Sequence, residues 1–212
     1  LKINTKFRMQ NSTLLNILGR FTAKEIKEFG EYINSPFFNK NKNVCKLFER
    51  ISKFHPEFDS RKLGKKYIYE KIFSKEGYND GFMRTLMFSL QQLAEEYLSY
   101  INYYRSGKTR TLHLLSELID KGLGKHLEKK FKDVDKTLPG EELIDPDEYY
   151  FRFNYEFDRN YHYSINFAVK KGGEPDDRIY KEQEYLIGFF LLRLLANHFY
   201  HLNQSLLINY KP

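Results

Sequence analysis

The chain has 212 residues, 41% hydrophobic and 17% aromatic, with 12 glycines and 6 prolines, a composition that allows a buried core and excludes a disordered or fibrous protein. Its single cysteine excludes an intramolecular disulfide and fits a reducing compartment. The formal net charge of +7 is divided unevenly, because residues 1–111 hold 21 Lys and Arg against 11 Asp and Glu (+10) and residues 112–212 hold 14 against 17 (−3), so we expect an anionic partner for the first half only.

Helical periodicity dominates the chain, and no segment shows sustained alternation of period two. A capping box at 22–25 and the Asp145-Pro146 pair mark helix starts, whereas Pro36 and Pro56 mark helix ends. A short hairpin near 56–63 is the only place where a strand fits. The sequence therefore predicts an all-α fold of about nine helices, at 12–19, 22–33, 41–54, 64–74, 80–105, 108–121, 124–137, 146–170 and 177–208.

A basic cluster occupies residues 40–66, with nine Lys and Arg in 27 residues. Four of its members recur at spacings of four, four and three, which places them on one face of the helix 41–54. Such a stripe can follow phosphate groups and release counterions, which gives salt-dependent binding. The alternative is the solvated face of an ordinary surface helix. The basic stripe consists of Lys42, Lys46, Arg50 and Lys53.

The helices that follow add to the nucleic-acid interpretation. A helix from Val44, a polar link, a short helix at 67–73 and a helix with Arg84 above a leucine stripe follow in order. Over residues 44–98 this order resembles the trihelical part of winged helix-turn-helix domains. The resemblance implies that residues 80–95 lie near the major groove, with Arg84 nearest the bases. The predicted nucleic-acid contacts are Lys42, Lys46, Arg50, Lys53, Arg61, Lys62, Lys65, Lys66 and Arg84.

The sequence contains no complete motif for catalysis or cofactor binding. Residues 106–109 imitate the end of a phosphate-binding loop, but Asn102 stands where the motif needs a glycine, and a helix precedes them instead of a strand. Cys45 lies inside a predicted helix and is interpreted as a buried structural thiol. We therefore expect a non-enzymatic protein with no catalytic residue and no cofactor.

Two helical hairpins are predicted in the second half. The first joins 108–121 to 124–137, with leucines at 112, 115 and 118 facing an apolar row at 123, 127, 131, 134 and 138, and the second joins 146–170 to 177–208. Consecutive hairpins with aromatic and leucine stripes resemble tetratricopeptide-type helical-repeat proteins over residues 108–208. The resemblance implies a scaffold that binds another protein.

Aromatic residues are concentrated in the helix 146–170, with nine rings in 149–167. Rings can stack on bases, but in an acidic half they are better interpreted as core packing, with an exposed remnant as a protein-binding face. Two pairs of potential metal ligands, one on each helix of the second hairpin, have the spacing that could hold a divalent ion between the helices. We interpret these residues as ordinary polar side chains and expect no metal; they are Asp158, His162, His198 and His201.

The most apolar stretch, Leu186–Leu195, is ten residues long and contains Arg193. A membrane span needs roughly 20 apolar residues, and the apolar run Leu14–Leu18 is too short for a signal peptide. We therefore expect a cytoplasmic protein that does not enter a membrane. The chain begins at Leu1 and stops just after an apolar helical run, a pattern typical of a fragment truncated at its C-terminus.

The sequence thus predicts a basic N-terminal helical unit at 1–106 and a helical-hairpin region at 107–212. The favoured function is a non-enzymatic scaffold that binds another protein through the second half. The alternative is a regulator that binds nucleic acid through the basic 40–66 region and the helix that starts at 80. The oligomeric state stays open.

Overall fold

A computed structural model of the chain describes residues 9, 12–59, 63–74, 76–138, 140, 145–167 and 178–208. The chain forms two compact units, Leu1–Asn102 and Tyr103–Pro212. The described residues form nine α-helices and no strand, which confirms the predicted all-α fold. Each helix begins and ends within three residues of its predicted bounds. In the region 56–63, where a hairpin was the only strand candidate, the described residues contain no strand, and 60–62 lie outside them.

The helices of the first unit have clear local causes. Thr22 and Glu25 form the predicted capping box, with Thr22 Oγ1 accepting from the Glu25 amide at 3.2 Å and Glu25 Oε2 accepting from the Thr22 amide at 2.9 Å. Asn79 Oδ1 accepts from the Phe82 amide at 2.9 Å and caps the longest helix of the unit. The helices are α1 (Thr13–Leu18), α2 (Ala23–Asn34), α3 (Lys42–Ile51), α4 (Lys65–Ile72) and α5 (Asp80–Arg105).

The core of the first unit is apolar and rich in rings. Phe29 is fully buried and lies 5.7 Å from Phe21, 5.1 Å from Phe48 and 5.3 Å from Tyr97, measured between ring centroids. The contacts with Phe21 and Phe48 are edge-to-face, a geometry that stabilises aromatic pairs beyond their buried area. The buried stripe of α5 supplies much of the rest, as predicted for a central helix: Met83, Leu86, Met87, Leu90, Leu93, Ala94 and Tyr97.

The second unit consists of α6 (Gly107–Asp120), α7 (Gly124–Asp135), α8 (Pro146–Phe167) and α9 (Arg178–Ile208). Its described apolar core is small. Leu115 and Leu118 of α6 pack with Leu127 and Phe131 of α7 and with Tyr155 of α8. The predicted facing of α6 and α7 is confirmed for these leucines. It is wrong for Leu123, which is 48% exposed because it lies in the link before α7.

Candidate functional site

The helices α8 and α9 form an antiparallel hairpin whose register is set by four contacts. Asn160 donates to Glu182 at 2.7 Å, and Arg152 donates to the Tyr185 hydroxyl at 3.3 Å. The Tyr149 ring lies over the bare backbone of Gly188, where an added Cβ would overlap it. The rings of Tyr150 and Phe189 are 5.2 Å apart. Residue numbers fall along α8 as they rise along α9, which confirms the predicted direction of this hairpin.

Outside those contacts, α9 exposes an unusual amount of apolar surface. Twelve of its large apolar side chains are between 45% and 78% exposed. Monomers rarely expose contiguous apolar patches larger than about 300–600 Å², so this surface needs an explanation. The exposed side chains are Ile179, Tyr180, Leu186, Ile187, Phe190, Leu191, Leu194, Leu195, Phe199, Tyr200, Leu202 and Leu206, which we call the α9 apolar surface.

The helix α8 contributes further exposed rings, at Tyr150, Phe157 and Tyr161, each about half exposed (50%, 51% and 51%). The predicted aromatic cluster is therefore divided. Phe151 and Tyr155 are buried, whereas Phe167 is in α8 but its side chain lies outside the described part. Core packing explains the buried rings, and the exposed ones are the kind of remnant that suits a protein-binding face.

The helix α8 also holds buried charge. Glu148 and Arg152 are 3% and 5% exposed, one turn apart, with Glu148 Oε1 3.0 Å from Arg152 Nε. Lys108 Nζ of α6 lies 2.5 Å from Glu148 Oε2. Burial by itself raises the pKa of Glu148, but the hydrogen bonds and charges of Lys108 and Arg152 outweigh it, so the pKa is lowered. The carboxylate therefore stays ionised and holds α6 to α8.

A second polar cluster joins α7 to α8. The buried Tyr155 hydroxyl lies 2.9 Å from the carbonyl oxygen of Phe131 and 2.8 Å from Asp135 Oδ1. Arg159 donates to both oxygens of the same carboxylate through its two terminal nitrogens, at 3.1 and 2.7 Å. Burial, together with the bond to Asp135, raises the pKa of Tyr155. Bidentate pairing of this kind positions helices, so we interpret both clusters as support for the hairpin.

The four potential metal ligands do not form a metal centre. In the part of the chain that the structure describes, no group of three or more ligating side chains is found. His198 and His201 are exposed on α9. The His162 ring lies 6.2 Å from the Phe131 ring. Burial, followed by the charge of Asp120, raises the pKa of Asp158 to about 6.

In the first unit, the basic stripe lies where the helical spacing predicts. Lys42, Lys46 and Arg50 are exposed on the side of α3 opposite buried Val44, Leu47 and Ile51. Lys53 is also exposed but lies beyond the end of α3, in the 3-10 turn Ser52–Phe54, so the predicted helix is three residues too long there. Among the described residues none of the four has an ion-pair partner within 4.0 Å. The stripe is therefore an exposed row of positive charge that is available to an anionic ligand.

The other predicted nucleic-acid contacts differ from that stripe. Arg84 pairs with Asp80 one turn earlier, at 3.0 Å between Nη2 and Oδ2, so its charge is already compensated. Lys66 lies 3.9 Å from Glu70, and Lys65 is half-buried. Arg61 and Lys62 lie outside the described residues. Of the predicted contacts, Lys42, Lys46 and Arg50 thus lie on α3, with Lys53 in the 3-10 turn that follows it. Arg84 is already paired with Asp80.

Sequence reasoning missed an exposed aromatic tip between α2 and α3. Phe37 is 86% exposed, and the loop that carries it is tied down because Asn39 Nδ2 donates to the Ile33 carbonyl at 2.9 Å. The next ring, Phe38, stacks on Tyr32 with centroids 4.0 Å apart. The signal available in the sequence was the pair of rings directly after Ser35-Pro36, where a helix must end.

Two smaller predictions are settled locally. Ser106 caps α6 through a 3.2 Å bond from the Thr109 amide, as expected for a helix start and not a phosphate loop. Cys45 is half-buried rather than fully buried, with Sγ 3.3 Å from the Ile33 carbonyl oxygen. Cys45 is only half-buried because it lies at the edge of the buried face of α3, one residue past buried Val44.

The charged stripe of α8 was also missed, although its spacing was visible. Glu148, Arg152 and Arg159 recur at helical intervals on the face that carries Tyr155.

Among the helices of the described residues, none has the length and hydropathy of a membrane span. Comparison with protein-family models, with curated proteins and with solved structures finds no match to this chain. Both resemblances of the sequence therefore stay predictions.

Proposed function

We propose that the chain is a non-enzymatic helical scaffold that binds another protein chain through the α8–α9 hairpin. The observation that carries the proposal is the α9 apolar surface, whose twelve side chains are 45–78% exposed. Burying such side chains against a partner releases about 25 cal/mol per Å² of apolar area before the costs of association.

The supporting clusters of α8 favour the same proposal. The ion pairs of Glu148 with Lys108 and Arg152, and of Asp135 with Arg159, hold α6, α7 and α8 in place. A surface that is rigid before binding loses less entropy when a partner docks. The described surface is also built mainly from one long helix, and an exposed helix face is a common binding element.

The test compares two variants that add positive charge to α9. In Ile187→Lys/Phe190→Lys the changes fall on side chains that are 58% and 60% exposed, so folding should be unchanged. In the control, Gln183→Lys, the charge is added at an exposed polar position of the same helix. Immobilised wild-type and control proteins should retain a partner from an extract of the source cells, and I187K/F190K should retain at least about tenfold less.

Equal retention by all three proteins, with unchanged circular dichroism, would contradict the proposal. So would a retained protein whose binding is reversed by salt alone, because an apolar interface is not disrupted by ionic strength. Quantitative mass spectrometry of the eluted proteins measures the difference.

A second candidate function, nucleic-acid binding, is favoured by the basic stripe of α3. Four cations without an ion-pair partner among the described residues lie along α3 and the 3-10 turn that follows it. If each neutralises one phosphate, affinity for duplex DNA should fall on the order of 100-fold between 50 and 200 mM salt.

Fluorescence anisotropy with labelled mixed-sequence duplex and single-stranded DNA tests this candidate. Lys46→Glu/Arg50→Glu should abolish salt-dependent binding and leave folding intact. Lys125→Glu/Lys129→Glu reverses two exposed lysines at the same spacing on α7 and should have little effect. Unchanged affinity in K46E/R50E, or no binding by wild type at 50 mM salt, rejects the candidate.

A further inference from the structure

The register of the hairpin leaves a long part of α9 without α8 beside it. Tyr149 lies over Gly188, so three residues further along each helix bring Pro146, the first residue of α8, level with about residue 191. Residues 193–208, which we call the α9 extension, continue past that point for 16 residues, or about 24 Å. Six large apolar side chains of the extension are 47–78% exposed.

The extension carries the continuation of the seam with which α9 packs on α8. The covered part of the seam is Tyr185, Gly188 and Leu192, all half-buried. The same spacing of three and four residues then continues without a break through Leu195, Phe199, Leu202 and Leu206. A repeat of this spacing is the pattern of a coiled-coil seam, in which positions a and d face a partner helix. Half of the seam thus has α8 as its partner, and half is exposed.

We infer that the occupant of the exposed seam is a second copy of this chain, with the two α9 extensions packed antiparallel about a two-fold axis. This rests on the proposed function, because it names the partner of part of the same surface. In antiparallel packing, a positions meet d positions of the partner helix. Leu195 then meets Leu206 of the other copy, and Phe199 meets Leu202. Both pairs are centred on the same point of the helix, midway between residues 200 and 201, so they share one two-fold axis, as an isologous interface requires.

Charge agrees with self-pairing. Between Tyr185 and Ile208 the only Lys, Arg, Asp or Glu is Arg193, at the edge of the extension. None of the positions that flank the seam is Asp, Glu, Lys or Arg; they are Ala196, His198, Asn203 and Ser205. Charges at such flanking positions usually select a different partner or repel a like one. Here neither effect opposes a second copy.

The available area sets the expected strength. The four exposed seam side chains, Leu195, Phe199, Leu202 and Leu206, offer roughly 400 Å² per copy at about 100 Å² each. This is below the roughly 600 Å² that specific stable interfaces bury on each partner and falls in the class of weak interfaces. We therefore expect a weak dimer that dissociates at roughly 10–100 µM.

Sedimentation equilibrium of the full chain between about 1 and 100 µM tests the inference. The wild-type mass should rise from 25.6 kDa toward twice that value. Phe199→Glu and Leu202→Lys should each remain monomeric, because either one buries a charge in an apolar layer. Gln183→Lys, with its charge outside the extension, should dimerise like wild type.

Mixing the two variants tests the antiparallel register. In a mixed pair, the carboxylate introduced by F199E would face the ammonium group introduced by L202K, while the other central layer keeps Phe199 against Leu202. The mixture should therefore recover dimer to within about tenfold of the wild-type dissociation constant, although each variant alone is monomeric. Circular dichroism checks that both variants keep their helix content.

Three outcomes would overturn the inference: a wild-type monomer at 100 µM, a dimer that F199E leaves intact, and a mixture that stays monomeric. A wild-type monomer that sediments with phosphatidylcholine–phosphatidylglycerol vesicles, and loses this in F199E, would assign the extension to a lipid surface instead. If wild type is monomeric but I187K/F190K still loses a partner, only this inference fails. If that variant loses nothing, the proposed function fails as well.

Discussion

The two units of this molecule distribute apolar and charged side chains in opposite ways. In the first, rings such as Phe29 and Tyr97 lie inside, and the ion pairs lie at the surface, as in Lys24 with Glu28. In the second, the charged pair Glu148 and Arg152 is buried on α8, while α9 exposes leucines and phenylalanines. A charge is costly to bury and an apolar side chain is costly to expose.

This difference indicates which of the two units buries its apolar side chains with its own helices. The first unit closes an apolar core around α5 with its own helices. The second unit has a core of only a few described residues, and its longest helix has a seam that its own described helices cover for half its length. We therefore expect the first unit to depend on internal packing and the second to depend on ion pairs and on a partner chain.

The largest effect should come from the core of the first unit. Phe29→Ala removes a fully buried ring that contacts Phe21, Phe48 and Tyr97. It should lower the free energy of unfolding by about 4 kcal/mol in urea denaturation followed by circular dichroism. Phe37→Ala, at an 86% exposed ring, is the matched control and should change it by less than about 0.5 kcal/mol. Similar values for the two variants would contradict the assignment of this core.

In the second unit, Arg152→Met should cost about 3 kcal/mol of unfolding free energy, because it leaves the Glu148 carboxylate buried with one partner fewer. Lys108→Met removes a cation from the same carboxylate, but that lysine is 46% exposed, so water can replace it and the cost should stay at about 1 kcal/mol. The order of the two values is the test. A larger loss in K108M would mean that α8 does not depend on buried charge.

The hairpin register makes a smaller prediction at a glycine. Gly188→Ala forces the Tyr149 ring away from α9 and should cost about 1–2 kcal/mol. Gly107→Ala, in a helix but with nothing within 4 Å of the added carbon, should be neutral or slightly stabilising. Thermal unfolding of both variants measures the difference. If G188A matches G107A, the Tyr149 contact, and with it the register, is wrong.

The smallest effect is a dependence on pH at Asp158, whose pKa is raised to about 6 by burial and by Asp120. The folded state holds this proton more tightly than the unfolded state, in which the pKa of the Asp158 carboxyl is about 3.9. The ionised form therefore destabilises the fold above about pH 6, and the effect disappears below about pH 4. Asp158→Asn should be more stable than wild type by on the order of 1 kcal/mol at about pH 7.5, after screening by solvent, and equal to it at about pH 4.

Urea unfolding at both pH values measures this difference. Asp120→Asn is the control, because it removes the second cause of the shift and should reduce the pH dependence. A constant difference between D158N and wild type across pH 4–7.5 would show that Asp158 ionises normally in the folded state.

Most of the fold was predictable, because helix bounds follow from local signals. Thr22 with Glu25, Asn79 and Ser106 cap helices by hydrogen bonds to amides within three residues, and such bonds need no tertiary partner. The exposure of the basic stripe also follows from spacing, since Leu47 and Ile51 occupy the opposite side of α3. The candidate site was less predictable. Glu148 looked like an ordinary first-turn carboxylate, but the fold buries it between Arg152 of the same helix and Lys108, forty residues earlier.

By itself, then, the sequence determined the nine described helices, their direction in the hairpins and the uneven charge of the two halves, because these depend on periodicity and on neighbours along the chain. The tertiary structure alone decided which apolar residues are covered. Leu192 and Leu195 belong to one unbroken seam in the sequence, yet the first is half-buried and the second is 64% exposed, since α8 begins level with about residue 191 and does not reach the second. Burial depends on where a distant helix begins, and no local pattern along α9 records that position.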